Sequence, residues 1–353
     1  MDSMMAVEIK QTLEREYDIY FTVQEIRNLN FAKLMEINNK NTDNKNHEET
    51  STKEILAGTK ILMQLFGEKL SSDIIVQLKT NPEEGRDEIF FIPGIEGYGG
   101  IFKPLESKIK SPASCFQLAT NYELKTVEEM ADSLLPRLLE KLKDRTDFTL
   151  IGYSFGSLIT IELTRKLEAK GFNGQLILID GSPQQMKTLL NQHMYSSSEE
   201  ELQSNILLGI MDAFTPTNSE QLVLELRKCK TWDEKINAFF NAISPEHKQL
   251  YLELDQKSAI LSFYARLKAV MKYNPEPLPY IRAPITLFKP MLSSVQQAQY
   301  DYGLKSITEN KVQVHVVDGN HVSMLEHTKI AMAINGELFE DGEEQEENLL
   351  KEN

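Results

Sequence analysis

The chain has 353 residues, of which 41% are hydrophobic and 26% charged, and its formal net charge is −15. These proportions are typical of a globular protein, and no apolar run approaches the roughly 20 residues that a membrane span requires. The negative charge repels nucleic-acid phosphates and anionic lipids, and the sequence offers no basic patch to offset it. Two distant cysteines, Cys115 and Cys229, argue against a disulfide framework and a zinc site. We therefore expect a cytoplasmic protein without a bound metal.

The first residues predict a short helical unit that is followed by a linker. Asp2 or Ser3 would cap a helix whose apolar side chains recur from Met5 to Tyr17, and two more short helices follow up to residue 37. Three such helices enclose little core, so we expect a partner helix to precede them in the complete unit. Residues 38–52 are rich in Asn, Lys and Glu and lack apolar periodicity, which indicates a flexible linker.

From Lys53 onward the sequence alternates between strand-like and helix-like segments. One helix is predicted at 126–143, where Thr126 and Glu129 would form a capping box. Six runs are predicted as strands: 74–78, 88–92, 148–151, 175–179, 283–288 and 312–317. Such alternation predicts an α/β fold with a mostly parallel sheet and a functional site at the carboxyl ends of its strands.

Between the fourth and fifth predicted strands the pattern changes to helices alone. This stretch, at about 184–280, predicts a helical cap over the carboxyl ends of the strands. Its apolar faces would serve either ordinary packing or a partly open groove for an apolar substrate, and the sequence does not separate the two. The last residues, 337–353, carry eight acids and one lysine, which predicts a disordered, solvated tail.

The motif Gly152-Tyr153-Ser154-Phe155-Gly156 follows a predicted strand and precedes a segment without Gly or Pro. A Gly-x-Ser-x-Gly motif in this context is typical of a nucleophile elbow, in which a tight strand-to-helix turn exposes the serine. Glycines are needed on both sides because a side chain there would collide with neighbouring backbone. The pattern therefore predicts that Ser154 is a nucleophile placed at the positive end of a helix.

A nucleophilic serine needs a histidine base and an acid that orients it. His315 lies inside a predicted strand, whereas His321 follows that strand through a short loop and can reach its carboxyl end. Two acids are candidates: Asp180, at the end of a buried strand, and Asp301, well after the next one. We prefer Asp180 because the strand end fixes its position, and either acid gives the order Ser, Asp, His of α/β-hydrolases.

An oxyanion also needs two backbone donors. One is expected to be the N–H of Phe155, directly after the nucleophile. The other is expected from a loop after an early strand, and Ile95, in the Gly-rich segment that follows Ile92, is the donor we predict.

Together these motifs resemble the carboxyl-terminal thioesterase domain of animal type I fatty acid synthase. The resemblance is carried by residues 93–97 (PGIEG), 152–156 (GYSFG), 180–183 (DGSP) and 314–321 (VHVVDGNH). Upstream, Asp2-Ser3 followed by Val7-Glu8 resembles the later part of an acyl carrier protein. One departure is Pro93-Gly94, where the mammalian enzyme has His-Pro.

This resemblance implies an α/β-hydrolase fold at 53–336, with a partial carrier at 1–37 and Ser154, Asp180 and His321 as the triad. The implied function is release of a long-chain fatty acid from an acyl carrier protein, alone or beside other synthase domains. Hydrolysis would need no cofactor, and Ser3 would carry 4′-phosphopantetheine if the carrier unit is complete. Two alternatives remain: a polyketide or peptide synthetase thioesterase, and a non-catalytic remnant that only binds acyl groups.

Overall fold

The chain divides into two units, Met1–Ser51 and Thr52–Asn353, and everything described below belongs to the second. The computed structural model describes residues 73–118, 123–193, 196, 198–214, 219–243, 256–276, 278–293 and 298–338. The predicted carrier helices, Ser3, the linker and the acidic tail from residue 339 onward lie outside the described residues.

Seven strands of the described ranges form one sheet in the order β1-β3-β2-β4-β5-β6-β7. All neighbouring strands are parallel except β1, which runs antiparallel to β3. The strands are β1 (Ile75–Gln77), β2 (Ile89–Ile92), β3 (Ala113–Phe116), β4 (Asp147–Tyr153), β5 (Asn173–Ile179), β6 (Ile285–Pro290) and β7 (Val312–Val317). The α/β prediction is thereby confirmed, and the sheet is that of an α/β-hydrolase.

The centre of the sheet consists of apolar runs that are buried on both faces. In β4 and β5 the paired residues Leu150 and Leu176 are buried on one face of the sheet, and the paired residues Ile151 and Ile177 are buried on the other. A parallel strand covered by helices on both sides requires apolar residues at consecutive positions rather than alternate ones. This burial explains why continuous apolar runs predicted both strands.

The helices are assigned as α1 (Lys103–Glu106), α2 (Val127–Lys141), α3 (Gly156–Glu168), α4 (Pro183–His193), α5 (Glu199–Phe214), α6 (Ser219–Leu226), α7 (Trp232–Ala242), α8 (Gln256–Lys272) and α9 (Thr328–Ile334). Thr126 and Glu129 form the predicted capping box at the start of α2. None of the helices in the described ranges is long and apolar enough to cross a bilayer.

In the described ranges five helices, α4 to α8, lie between β5 and β6, where the sequence predicts a cap. They pack on one another, for example through Trp232 at the start of α7 and Tyr264 in α8, whose ring centroids are 5.2 Å apart. Thr231 and Glu234 cap α7 reciprocally. The sequence places the start of the last cap helix near Pro245, which lies outside the described residues; the described part begins at Gln256.

Strand β3 is the main element that the sequence analysis missed. It contains only four residues, Ala-Ser-Cys-Phe, and all four are buried. Small and polar side chains give no apolar periodicity, so nothing local distinguishes this segment from a loop. Pairing with β1 and β2 decides its conformation, which is a tertiary effect.

Gly156 at the start of α3 offers a test of how tightly the loops at the strand ends are packed. A Cβ atom there would lie 2.3 Å from the carbonyl oxygen of Ile92 and 2.4 Å from that of Pro93. We expect Gly156→Ala to lower the free energy of unfolding by about 3 kcal/mol, because neither backbone oxygen can yield without moving β2. Urea denaturation measures this change.

Gly171→Ala is the matched control, because a Cβ atom there meets nothing within 4 Å. Its positive φ of 87° should cost only about 1 kcal/mol. Equal losses of stability in the two variants would contradict the close packing of α3 against the end of β2.

Candidate active site

Ser154 occupies the sharp turn between β4 and α3. Its φ is +52°, a left-handed conformation that is strained for a residue with a side chain. The turn is held by its N–H, which donates to Ile179 O at 2.8 Å. A Cβ atom on Gly152 would lie 2.5 Å from Thr160 Oγ1, so only glycine fits there. The structure therefore has the geometry of a nucleophile elbow at the predicted serine.

Asp180 stands in a second strained turn, directly after β5. Its φ is +45°, and its N–H donates to Phe288 O at 2.8 Å in the neighbouring strand β6. The next residue, Gly181, packs so closely on the serine turn that a Cβ atom would lie 2.2 Å from Ser154 O. Two adjacent parallel strands thus deliver the serine and the aspartate at the same sheet edge.

His321 reaches this edge from the loop after β7 and binds Asp180 directly. Its Nδ1 lies 2.5 Å from Asp180 Oδ2. The ring also stacks on Tyr153, with centroids 4.8 Å apart and planes inclined by 22°, and the Tyr153 hydroxyl donates to His321 O at 3.0 Å. An imidazole whose Nδ1–H is held by a carboxylate presents Nε2 as a base. Tyr153 and Asp180 together fix the tautomer and the orientation of His321.

The second oxygen of the Asp180 carboxylate is also bound. Tyr302 donates its hydroxyl to Oδ1 at 2.8 Å, and Gln185 donates Nε2 to the same oxygen at 3.2 Å. The carboxylate is almost fully buried and no longer contacts bulk water. These two donors supply the hydrogen bonds that a buried charge needs. These bonds hold the Asp180 carboxylate in position to accept a hydrogen bond from His321 Nδ1–H.

The alternative acid, Asp301, and the strand histidine, His315, lie elsewhere. Asp301 accepts hydrogen bonds from the N–H groups of Gly303 at 3.1 Å and Lys305 at 3.0 Å, so it caps a turn and does not contact His321. His315 lies within β7 and stacks on Phe288 at 5.2 Å, as expected of a residue on a sheet face. Of the two candidate acids, the structure brings Asp180 to the histidine.

The two predicted oxyanion donors follow the neighbouring strands β2 and β4. Ile95 lies in the loop at residues 93–98, called the β2 loop below, and Phe155 directly follows Ser154. Both residues are buried. Within the described part of the chain, neither backbone N–H makes a hydrogen bond. Buried backbone donors are almost always paired, so two free ones beside a strained serine are what an oxyanion site requires.

Glu96 brings an ionisable group into the interior of the β2 loop. It is 2% exposed, and its Oε1 accepts the Gly94 N–H at 2.7 Å. Burial raises the pKa of this carboxyl from 4.5 to about 7, although its backbone hydrogen bonds and the charges of Arg266 and His321 act in the opposite direction. The carboxyl therefore changes its charge near neutral pH.

Several residues that contact the predicted triad carry no signal in the sequence. These are Tyr153, Gln185, Tyr302 and, against the β2 loop, Arg266. Tyr153 lies inside the elbow motif next to Ser154, and Tyr302 directly follows Asp301. Each is therefore adjacent in the sequence to a candidate site residue. Nothing local shows that either contacts the triad, because their partners are 168 and 122 residues away in the sequence.

Removal of the Tyr302 hydroxyl tests the support of Asp180. We expect Tyr302→Phe to slow covalent labelling of Ser154 by a fluorophosphonate about tenfold, since a hydrogen bond to a charged group contributes roughly 1.5–3 kcal/mol. Tyr300→Phe is the matched control, because Tyr300 is 73% exposed. The same labelling rate in both variants would show that the Tyr302 hydroxyl does not support the site.

Glu96 predicts a dependence of stability on pH. Its folded pKa of about 7 exceeds the ordinary value of 4.5, so the folded protein holds this proton more tightly than the unfolded chain. The resulting stabilisation is complete below about pH 4.5 and is lost as the pH rises through about 7. Relative to Glu96→Gln, we expect the native protein to lose about 3 kcal/mol of unfolding free energy between pH 4.5 and 8. Parallel pH profiles of the two proteins in urea denaturation would contradict this.

Three solved structures show similarity to this chain. A four-domain nonribosomal peptide synthetase bound to AMP and glycine has a TM-score of 0.56 and 16% identity; the match covers 94% of this chain and 23% of that one. The type II thioesterase BorB of the borrelidin cluster has a TM-score of 0.49 and 18% identity, over 76% and 97% of the two chains. YbtT, a type II thioesterase of the yersiniabactin pathway, has a TM-score of 0.46 and 17% identity, over 72% and 93%.

At these identities the likeness concerns the fold, and this chain spans less than a quarter of the length of the synthetase. The assignment to a family comes instead from a family model, the thioesterase domain, which matches residues 87–338. The matched range includes the strained turns at Ser154 and Asp180, the loop of His321 and the β2 loop. Because it extends over well more than half of the chain, the protein belongs to the thioesterase domain family.

Proposed function

We propose that the protein hydrolyses an acyl thioester carried by a synthase carrier protein, with Ser154 as the nucleophile, His321 as the base and Asp180 as the orienting acid. The observation that carries this proposal is the 2.5 Å contact between His321 Nδ1 and Asp180 Oδ2, beside a serine in a strained elbow. Because the chain belongs to the thioesterase domain family, we propose that the bond it cleaves is a thioester.

In the first half of the reaction His321 accepts the hydroxyl proton of Ser154 while Oγ attacks the thioester carbonyl carbon. The negative charge that develops on the carbonyl oxygen is stabilised by the N–H groups of Ile95 and Phe155. The C–S bond then breaks, and His321 returns the proton to the departing thiolate. The products are a Ser154 acyl ester and the free thiol of the carrier.

In the second half His321 deprotonates a water molecule, which attacks the acyl ester. The same two N–H groups stabilise the second oxyanion, and the proton passes from His321 to Ser154 Oγ as the ester bond breaks. The acyl chain leaves as a carboxylic acid. Hydrolysis by this family uses no cofactor, because the serine and water supply every bond that forms.

We propose a peptide or polyketide synthase as the source of the thioester. Support comes from the four-domain nonribosomal peptide synthetase, whose fold resembles 94% of this chain. The comparisons agree better with this source than with a fatty acid synthase. The fatty acid hypothesis rests on the sequence motifs at 93–97, 152–156, 180–183 and 314–321, and we retain it as the alternative that a substrate panel must decide.

The proposed organisation of the chain follows from the sequence. We propose a partial carrier at 1–37 with 4′-phosphopantetheine on Ser3, a linker at 38–52, the thioesterase domain at 53–336 with a cap at about 184–280, and a solvated tail at 337–353. A tether of this length would raise the concentration of a carrier-bound acyl group at Ser154. The proposed compartment is the cytoplasm, which fits the free thiols of Cys115 and Cys229.

Replacement of Ser154 by alanine tests the chemistry. We expect Ser154→Ala to lower kcat for an acyl-phosphopantetheine thioester by at least about a thousandfold, because the acyl enzyme can no longer form. Ser157→Ala is the matched control: Ser157 lies on the same turn, is equally buried and donates to Gly152 O at 3.1 Å. Its kcat should stay within about tenfold of the native value.

Near-native hydrolysis by Ser154→Ala, or a native protein that neither hydrolyses thioesters nor reacts with a fluorophosphonate, would contradict the proposed function. The second outcome would favour a remnant that only binds acyl groups. A panel of thioesters then separates the substrate classes by product mass. Preference for long, saturated acyl chains would favour the fatty acid synthase alternative over a peptide or polyketide synthase.

A further inference from the structure

Arg266 joins the helices between β5 and β6 to the β2 loop. It lies in α8 and is 2% exposed. Its guanidinium donates to three backbone carbonyls: Nε to Ile95 at 2.7 Å, Nη1 to Leu118 at 2.6 Å and Nη2 to Glu96 at 3.3 Å. The planar fork of arginine can serve three acceptors together, whereas lysine offers a single point charge. Arg266 is therefore specifically suited to hold this loop.

The environment of Arg266 is costly for a cation. Burial lowers the pKa of its guanidinium to about 10, and the nearby Glu96 carboxylate acts in the opposite direction. The side chain still carries its charge at neutral pH. Since a buried charge destabilises a protein unless acceptors compensate it, the three carbonyls must stay turned toward Arg266 to keep it there.

These carbonyls set the direction of the peptide groups around Ile95. The Gly94 carbonyl accepts the Gly97 N–H at 3.0 Å, and the Gly94 N–H is taken by Glu96 Oε1. Arg266 takes the carbonyls of Ile95 and Glu96. The Glu96 carbonyl shares its peptide with the Gly97 N–H, and the Gly94 carbonyl shares its peptide with the Ile95 N–H. Because the N–H of a trans peptide points away from its carbonyl, Arg266 on Glu96 O directs the Gly97 N–H toward Gly94 O. That bond in turn holds the Gly94–Ile95 peptide so that the Ile95 N–H points away from it and stays available.

We propose that Arg266 is a positioning residue for the oxyanion: it fixes the Ile95 N–H as a donor and makes that donor depend on the seating of α8. This inference rests on the proposed function. Arg266 touches no reacting atom and acts through the β2 loop. Displacement of α8 would release the Ile95 and Glu96 carbonyls together and turn the donor away, so the cap and the oxyanion site would work as one unit.

The test compares substrate turnover with binding of a trifluoromethyl ketone, which adds reversibly to a nucleophilic serine and forms a tetrahedral oxyanion. For Arg266→Lys we expect kcat to fall about 30- to 100-fold with KM within about threefold, because loss of one oxyanion donor typically costs 10²–10³ in kcat. The inhibition constant of the ketone should rise by a similar factor. A purely structural role would lower stability without this parallel change.

Lys268→Met is the matched control. Lys268 lies on the same helix, but it forms a surface ion pair with Glu199 at 2.6 Å and does not contact the β2 loop. It should keep native kcat and native affinity for the ketone. Urea denaturation of each variant establishes that the proteins compared are folded.

If Arg266→Lys does not fold, the double variant Arg266→Met with Glu96→Gln replaces it. That variant removes both buried charges together, so neither is left unpaired, and the glutamine keeps an acceptor for the Gly94 N–H. The same fall in kcat and the same rise in inhibition constant are expected.

The outcome separates this inference from the proposed function. Fluorophosphonate labelling and thioester hydrolysis by the native protein, measured first, test the function alone. If both succeed and a folded Arg266 variant keeps native kcat and ketone affinity, the positioning role is overturned while the function stands.

Discussion

The packing of two strained turns and the β2 loop at one sheet edge is the constraint on which the rest of this site depends. Ser154 and Asp180 both adopt positive φ, and neither conformation is favourable for a residue with a side chain. They persist because backbone hydrogen bonds to Ile179 and Phe288 fix the two turns. Gly156 and Gly181 allow the turns to touch neighbouring backbone at distances that no Cβ atom would permit. The strain is thus held by the sheet, and it brings the Ser154 turn against the Asp180 turn.

The polar groups of the site are buried, and their satisfaction explains much of the surrounding structure. Asp180 is bound on both oxygens, by His321 on one and by Tyr302 and Gln185 on the other. The charge of Arg266 is compensated by hydrogen bonds to three carbonyls and by the nearby Glu96 carboxylate. The N–H groups of Ile95 and Phe155 differ, since they belong to buried residues and make no hydrogen bond among the described residues. Two unpaired donors beside the strained serine turn are what an oxyanion site requires.

The chemistry and the identity of the substrate rest on different kinds of observation. We propose covalent hydrolysis on the basis of the elbow, the oriented histidine and the family match, all of which concern the same few residues. In this proposal the acyl group and its carrier contact the predicted cap and surfaces away from these residues. Similarity of fold at 16% identity does not define such surfaces, because a fold supports many substrates. The polyketide or peptide source is therefore proposed from the similar fold of the synthetase, and the fatty acid source from the sequence motifs.

The sequence alone predicted six of the seven strands in the described ranges, the helical stretch between β5 and β6, the glycine-flanked turn at Ser154, and the positions of Asp180 and His321 after strand ends. It could do so because apolar runs, glycine spacing and strand ends are local features that survive without knowledge of the fold. Only the tertiary structure chose Asp180 over Asp301, added β3 to the sheet, and brought Tyr153, Tyr302 and Arg266 to the site. The contacts of Tyr153, Tyr302 and Arg266 join residues more than a hundred positions apart, and their energy comes from burial and pairing that no local pattern records.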